Sequence, residues 1–405
     1  MREPVEALFE EARRRSRRRR LAIGAAIAGL TALAAIAATS SLNGAEPPQG
    51  REAALGAPSF ATPLGVFEPL RGRIVYLAGD ELVGVDPADP PSVTSIPIPD
   101  EMRPRPVVTG WSADGTRLAL ASEESDWSYV MDAEGGVTEV KRPIGCCLFV
   151  RTSWLAPDGR TALSSVEADR IRLRDLDGGS GRVIGLEPPV GPLGAFDGGP
   201  PEHVWSPDGT RIAFIVFQQV GGDFLPSIVT ADLETGATRE LVGQGFGHIR
   251  HMTWSPDGAR LLVIAGAAAW GKTQNNPLTR PQETAMYVVD ADRSAPTASP
   301  AALEPIASGH YIAGTWSPDG EWVAALDSSP TGRDLVLMRA DGAVRRLLVD
   351  RVVPVLFTGL AWHPIGGKAI PDDGPIRPWI APPFLVPPAH LLDTTTPPLR
   401  PGSGY

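Results

Sequence analysis

Cysteine is nearly absent from this sequence: Cys146 and Cys147 occur as neighbours in a chain of 405 residues that has no others. Two adjacent cysteines can join only in a strained ring, and in a regular strand their side chains point to opposite faces. No second cysteine pair or nearby histidine accompanies them, which argues against a zinc site. Two interpretations stay open, namely two small thiols and a vicinal disulfide.

Aromatic residues make up only 6% of the chain, whereas glycine (44) and proline (42) are abundant. This composition favours many short strands joined by turns over long helices. The chain has 37 basic and 47 acidic residues. Residues 1–20 contain eight of the basic residues, all Arg, and four of the acidic residues, all Glu. The remaining 29 basic and 43 acidic residues give the body a net charge of −14, which argues against a nucleic-acid partner.

The N-terminus combines a basic cluster with an uncharged run. Arginine-rich residues 13–20 directly precede residues 21–42, which carry no charge. A stretch of that length can cross a bilayer as a helix, and the arginines favour the cytoplasmic side. We therefore predict a short cytoplasmic segment (1–20), a single transmembrane helix or signal anchor (21–42) in the cell membrane, and an exported body. A cleaved signal peptide is the alternative. Residues 43–71, rich in Pro, Gly and Ala, are predicted to form a stalk.

A five-residue motif recurs along the body. WSPDG stands complete in three copies, WSADG and WLAPDG are variants, and WHPIGG is a decayed copy; their tryptophans are Trp111, Trp154, Trp205, Trp254, Trp316 and Trp362. Successive tryptophans are 43, 51, 49, 62 and 46 residues apart, a period typical of repeat architectures. In the turn Ser206 to Gly209, Pro207 favours the first central position, and Gly209 accepts the positive φ that follows. The turn carboxylates are Asp114, Asp158, Asp208, Asp257 and Asp319.

Each tryptophan ends a first strand and is followed by three more, so a unit holds four short antiparallel strands. Four-stranded units of this length arranged around an axis form a β-propeller. Residues 72–99 supply three strands without a first strand, and 355–364 supply a first strand alone. We therefore predict an all-β, six-bladed propeller over 72–364, closed by pairing of strand 356–362 with 73–78.

The motif WSPDG, followed by a strand such as RIAF and a strand that ends in an Asp turn, resembles the repeat of TolB-type six-bladed propellers. The resemblance covers about residues 72–364. It implies a propeller fold and, by analogy with a periplasmic envelope protein that binds a lipoprotein, an envelope binding role. Some propellers of this repeat type, the oligogalacturonate lyases, use channel histidines with a metal.

Binding is predicted at one end of the ring. The turns between first and second strands and between third and fourth strands are short. The opposite end carries the long insertions 188–203, 218–226 and 267–284. Binding residues usually lie on loops of a rigid scaffold. Candidate ligand-binding residues at this loop-rich face are His203, His248, His251, Trp270 and His310.

We expect a non-enzymatic propeller that binds an envelope protein, peptide or glycan, with no cofactor, no metal and no catalytic residue. The alternative is a lyase or hydrolase that uses polar residues at the channel mouth. A peptidase like the prolyl oligopeptidases is excluded, because only 41 residues follow Pro364 and no Gly-x-Ser-x-Gly elbow occurs. A sensor role, with residues 1–20 coupling to a cytoplasmic partner, is a third possibility. The proline-rich tail 365–405 is predicted to make no contribution to a sheet. Its apolar residues Trp379, Ile380, Phe384 and Leu385 indicate that part of it lies against the propeller, and the rest, from about Thr394, is predicted to be disordered.

Overall fold

The strands of the body form six antiparallel sheets. A computed structural model describes residues 63–102, 106–122, 127–141, 154–190, 203–220, 223–266, 283–292, 302–329, 332–352, 359–366, 370 and 379–380. Besides strands, this part of the chain contains two short 3-10 helices, Gly65–Leu70 and Asp100–Met102. The described part contains no helix long and apolar enough to span a bilayer. The predicted membrane helix, residues 43–62 of the predicted stalk and the two cysteines lie outside the described residues.

Twenty-four strands are numbered in chain order. In the first half of the body they are β1 Ile74–Ala78, β2 Glu81–Val85, β3 Val93–Pro97, β4 Pro106–Trp111, β5 Arg117–Ser122, β6 Trp127–Asp132, β7 Val137–Lys141, β8 Thr161–Glu167, β9 Arg170–Asp175, β10 Arg182–Gly185, β11 His203–Trp205 and β12 Arg211–Val220. In the second half they are β13 Asp223–Asp232, β14 Thr238–Val242, β15 His248–Trp254, β16 Arg260–Gly266, β17 Thr284–Asp290, β18 Ala307–Gly309, β19 Tyr311–Trp316, β20 Trp322–Ser329, β21 Gly332–Arg339, β22 Arg345–Val352, β23 Leu360–Trp362 and β24 Trp379–Ile380.

The six sheets are the blades of a propeller. Blade 1 is β23-β1-β2-β3, blade 2 is β4 to β7, blade 3 is β8 to β10, blade 4 is β11 to β14, blade 5 is β15 to β18, and blade 6 is β19 to β22. Blade 1 joins the two ends of the body, because Ile74 pairs with Trp362 and Tyr76 with Leu360. The predicted ring closure is confirmed over these residues, and the prediction of a six-bladed all-β propeller is confirmed.

Blade 3 differs from the other blades in its described part. Of its first strand, the described residues show a single bridge between Leu155 and Ala162, and Trp154 lies just before that bridge. The motif here has one residue more between Trp and Asp than the other copies, which moves the tryptophan out of register with its partner strand. The described part of this blade therefore has three regular strands and one bridge.

The second strands of all blades except blade 3 are buried on both faces rather than on alternate residues. Ile212 to Val216 of β12 are all buried, as are Leu118 to Ser122 of β5. Each blade packs between two neighbours, so both of its faces meet apolar side chains, as when Ile171 and Leu163 of blade 3 meet Phe214 of blade 4. Burying each such side chain stabilises the ring by about 1.5–3 kcal/mol.

Two boundaries drawn from the sequence need correction. Residues 63–71 of the predicted stalk belong to the propeller, because Phe67 and Leu70 are fully buried and the Val66 N–H donates to the Ala133 carbonyl at 2.8 Å. In the tail, Trp379–Ile380 adds a fifth, parallel strand to blade 6 beside β22. The tail therefore does contribute to a sheet at these two residues, because neither is a proline and both keep the backbone N–H that strand pairing requires.

Candidate functional site

The first strands line a central channel, and the described end of this channel is a cavity of about 430 Å³. It opens beside the turns that join first and second strands. Its wall contains tryptophans of all blades except blade 3 and prolines of all blades except blade 2: Trp111, Trp205, Trp254, Trp316, Trp362, Pro157, Pro207, Pro256, Pro318 and Pro364. The cavity is therefore lined mainly by apolar rings and small polar groups.

His251 is the titratable side chain in this lining. Its Nε2 lies 2.7 Å from the Gly314 carbonyl oxygen of the next blade. The other lining side chains carry no carboxylate and no amine. An acid–base pair needs two titratable groups within reach of one substrate, and the described lining does not provide it.

The remaining predicted histidines lie elsewhere. His203 and His248 stand at the first residues of β11 and β15 and are 5% and 3% exposed. A Cβ added to Gly266 would come within 2.3 Å of the His248 ring, so the absence of a side chain there makes room for the imidazole. These two rings offer little surface to a ligand. The His251 side chain lines the turn end of the channel rather than the loop-rich face.

His310 lies between β18 and β19 and is half-buried. The backbone N–H of His310 donates to Asp327 Oδ1 at 3.3 Å, and its backbone carbonyl accepts a hydrogen bond from the Ser328 N–H at 2.9 Å. Trp270 lies outside the described residues. Within the described ranges no three His, Cys, Asp or Glu side chains are grouped so that they could hold a metal ion.

The motif carboxylates organise turns. Asp208 accepts hydrogen bonds from Ser206 Oγ at 2.6 Å, from the Thr210 N–H at 3.0 Å and from Thr210 Oγ1 at 2.9 Å. Burial by itself would raise the pKa of Asp208, but the hydrogen bonds from Ser206 and Thr210 outweigh it and lower the pKa. The carboxylate is thus held ionised as a turn residue. Gly209 follows with φ +71°, as the sequence predicts.

The motif tryptophans connect neighbouring blades. The Trp254 indole N–H donates to the Val204 carbonyl at 3.1 Å, and that of Trp316 donates to the Thr253 carbonyl at 3.2 Å. Each acceptor precedes the tryptophan of the previous blade. These two indoles therefore join neighbouring sheets.

A second inter-blade contact was not predicted from the sequence. The residue two positions after the motif glycine is Arg117 in blade 2, Arg211 in blade 4 and Arg260 in blade 5. Their guanidiniums donate to the backbone carbonyl oxygen of the motif glycine of the following blade. The distances are 2.8 Å to Gly159, 2.8 Å to Gly258 and 2.9 Å to Gly320. We call this contact the arginine clamp. An Arg at a fixed offset in three copies is the signal that could have found it.

The arginine clamp includes an aromatic face. The Arg211 guanidinium carbon lies 4.8 Å from the centre of the Trp254 ring, and that of Arg260 lies 4.8 Å from the Trp316 ring. A guanidinium stacked on an indole gains cation–π attraction. Each of these two clamps therefore combines a carbonyl acceptor with an aromatic platform.

Blade 3 carries Thr161 at the clamp position, and a cavity of about 340 Å³ lies between blades 3 and 4 on the same turn end. We call it the blade 3–4 cleft. Its lining is Ala156, Asp158, Thr161, Leu173, Arg174, Asp175, Ser180, Gly181, Arg182, Trp205, Asp208, Gly209 and Leu233. Within this lining the Arg182 guanidinium donates to the Leu233 carbonyl at 2.6 Å.

His363 replaces the motif serine in blade 1 and is fully buried. Its ring packs 4.7 Å from the Trp111 ring, and a Cβ added to Gly115 would come within 2.6 Å of it. Desolvation by burial lowers the pKa of His363, because it disfavours the charged imidazolium. The sequence marked this copy as decayed, and the structure shows an imidazole that fills the contact between blades 1 and 2.

No known family model and no curated protein matches the chain by sequence. Solved structures do match in fold. TolB from Acinetobacter baumannii is 19% identical with a TM-score of 0.44, over 72% of this chain and 66% of that one, just under two thirds of its length. The chain is a six-bladed β-propeller similar to TolB.

Two further solved structures show the range of proteins with this fold. A putative TolB from Agrobacterium tumefaciens is 18% identical with a TM-score of 0.44, over 68% of this chain and 88% of that one. An oligogalacturonate lyase in complex with manganese is 13% identical with a TM-score of 0.35, over 68% and 85%. At these identities the similarity concerns the fold alone.

Proposed function

We propose that this protein is a non-enzymatic binding propeller, anchored in the cell membrane by residues 21–42, that binds a protein, peptide or glycan at the cell envelope. The channel lining supports the non-enzymatic part of this proposal. It offers apolar rings and small polar groups with His251 as its titratable side chain, and that imidazole already contacts the Gly314 carbonyl. The described lining at this end therefore supplies no second titratable group for an acid–base pair.

We place the binding surface of this envelope role at the loop-rich face. The hairpin of β12 and β13 supports this, because its pairing continues from Phe217–Pro226 to Val220–Asp223. In blade 5 the corresponding strand β16 ends at Gly266, the equivalent of Phe217. The blade 4 hairpin therefore extends about 10 Å beyond the level of Gly266, the last described residue of β16.

Cross-linking and pull-down from intact cells test this role. We expect the full chain to capture a ligand, and replacement of residues 268–283 by a short Gly-Ser turn to abolish capture without lowering the melting temperature. Ala259→Arg, at a turn on the opposite end, is the control that should retain capture. Capture that survives the loop replacement would contradict the chosen face.

Fractionation tests the anchor. The full chain is expected in the membrane pellet after a carbonate wash, because 22 uncharged residues can span the hydrocarbon core. A soluble product shortened by about forty residues would contradict retention and favour a cleaved signal peptide. A stoichiometric, tightly held metal in the purified protein would contradict the non-enzymatic role and favour the lyase or hydrolase alternative.

A further inference from the structure

The blade 3–4 cleft has the walls of an arginine clamp but has no arginine at the clamp position. Thr161 occupies the clamp position, and a threonine side chain is too short to reach the next turn. A Cβ built on Gly209 would meet nothing closer than Pro157 Cδ at 3.9 Å. At Gly258 and Gly320 the same test meets a guanidinium nitrogen at 3.5 and 3.3 Å. The space that a guanidinium fills at those glycines is open at Gly209.

The receptor groups of the clamp are nevertheless present. Trp205, 7% exposed, lies on the cleft wall as Trp254 and Trp316 lie beneath their guanidiniums, and the carbonyl of Gly209 corresponds to the acceptors at Gly258 and Gly320. The cleft thus offers an aromatic platform and a carbonyl at the position of the clamp acceptor.

The charge of the cleft favours a cation. Its lining contains the three carboxylates of Asp158, Asp175 and Asp208 and the two guanidiniums of Arg174 and Arg182. One of these guanidiniums, that of Arg182, is already bound to the Leu233 carbonyl. Hydrogen bonds to their turns lower the pKa of both Asp158 and Asp208 against the opposing effect of burial, so these two carboxylates are ionised at neutral pH.

We propose that the blade 3–4 cleft binds an arginine side chain of a peptide or protein partner. The guanidinium stacks on Trp205 and donates to the Gly209 carbonyl, as Arg211 and Arg260 do at the next two interfaces. The carboxylates of Asp158 and Asp208 flank it. A guanidinium is favoured over an ammonium, because only the planar group can stack on an indole while it donates in its own plane. The cleft lies at the turn end, so this proposal is independent of ligand capture at the loop-rich face.

The test is a titration of the full-length protein, labelled with 15N in tryptophan, with N-acetyl-arginine amide. The indole signal of Trp205 is identified by its loss in Trp205→Phe. We expect a saturable shift of this signal with a dissociation constant on the order of 1 mM, as suits one side chain without the rest of a partner. N-acetyl-citrulline amide, which has the same shape without charge, should bind at least tenfold more weakly, and so should N-acetyl-lysine amide.

Thr161→Arg is the decisive variant, because it supplies the cleft with an arginine from the chain itself. It should weaken binding of the probe at least tenfold while leaving the melting temperature equal or higher. Ala259→Arg adds the same charge to a neighbouring turn outside the cleft and should bind the probe as the parent does. The proposal is overturned by the absence of a saturable shift, by equal binding of citrulline or lysine amide, or by unchanged binding in Thr161→Arg.

Discussion

Removal of one arginine clamp should measurably lower the free energy of unfolding of the propeller. Arg211→Thr copies the residue that blade 3 has at this position. It removes a hydrogen bond of 2.8 Å to the Gly258 carbonyl, a stacking contact of 4.8 Å on Trp254 and an ion pair of 2.8 Å with Asp292. The Arg211 side chain is 22% exposed, so solvent screens these contacts only in part.

The magnitude follows from these three contacts. A hydrogen bond from a charged donor contributes about 1.5 kcal/mol at the low end of its range, and a partly exposed cation–π contact about 0.5–1 kcal/mol. The Asp292 carboxylate is 63% exposed, so its ion pair adds at most a few tenths of a kcal/mol. We expect a loss of about 2–3 kcal/mol in the free energy of unfolding, which in a domain of this size lowers the melting temperature by about 3–5 °C.

Equilibrium urea unfolding of the parent and variants measures this loss. The stability of Arg211→Lys should lie between that of the parent and that of Arg211→Thr. An ammonium retains the charge, but it neither stacks on the indole ring nor donates two parallel hydrogen bonds. Arg172→Thr is the matched control: it removes an arginine whose ion pair with Glu167 is about half exposed on both sides, and it should cost under about 0.5 kcal/mol. If Arg211→Thr cost no more than Arg172→Thr, the clamp would have no energetic role.

Two further perturbations test the ring closure and the buried imidazole. Deletion of residues 359–405 removes β23 and leaves the edge of β1 unpaired, so we expect the protein to aggregate and to lose cooperative unfolding. Deletion of residues 381–405 is the control, because it retains every described strand and should unfold like the parent. The lowered pKa of His363 means that the unfolded state binds more protons below about pH 6.5, so stability should fall as pH drops through that value. His363→Ser, the residue of the intact motif, should remove this part of the slope in urea unfolding at pH 5 to 8, and an unchanged slope would refute the assignment.

Much of the fold follows from local sequence. The turn of Ser206 to Gly209 is specified by its own residues, because the Ser and Asp side chains bond within the turn and Gly accepts the positive φ. Five such turns, the complementary fragments at the two ends and the period of the repeat were enough to predict six blades and their closure. These features involve residues close in sequence or copies of one pattern.

The boundaries were less predictable. Residues 63–71 have the composition of a linker, yet Phe67 and Leu70 fill the space beside blade 2, which is only visible once the blades are in place. The short strand at Trp379–Ile380 likewise depends on the free edge of β22. In both places a partner distant in sequence determines the structure.

The candidate site residues were also only partly predictable from the sequence. From the sequence we could identify Trp205 and Asp208 as structural and predict that His203, His248 and His251 lie along first strands. Their exposure depends on tertiary packing: Gly266 leaves room for the His248 ring, and the turn end of the channel includes His251.

The sequence by itself determined the repeat, because each turn and strand is specified by residues within a few positions of one another. Only the tertiary structure decided what lies between the blades, since each arginine clamp joins residues from neighbouring copies that are 42 to 60 positions apart in the chain. A threonine at position 161 has no special meaning along the sequence. It marks a cleft because Trp205 and Gly209 of the next blade stand opposite it, and that juxtaposition arises only when the ring closes.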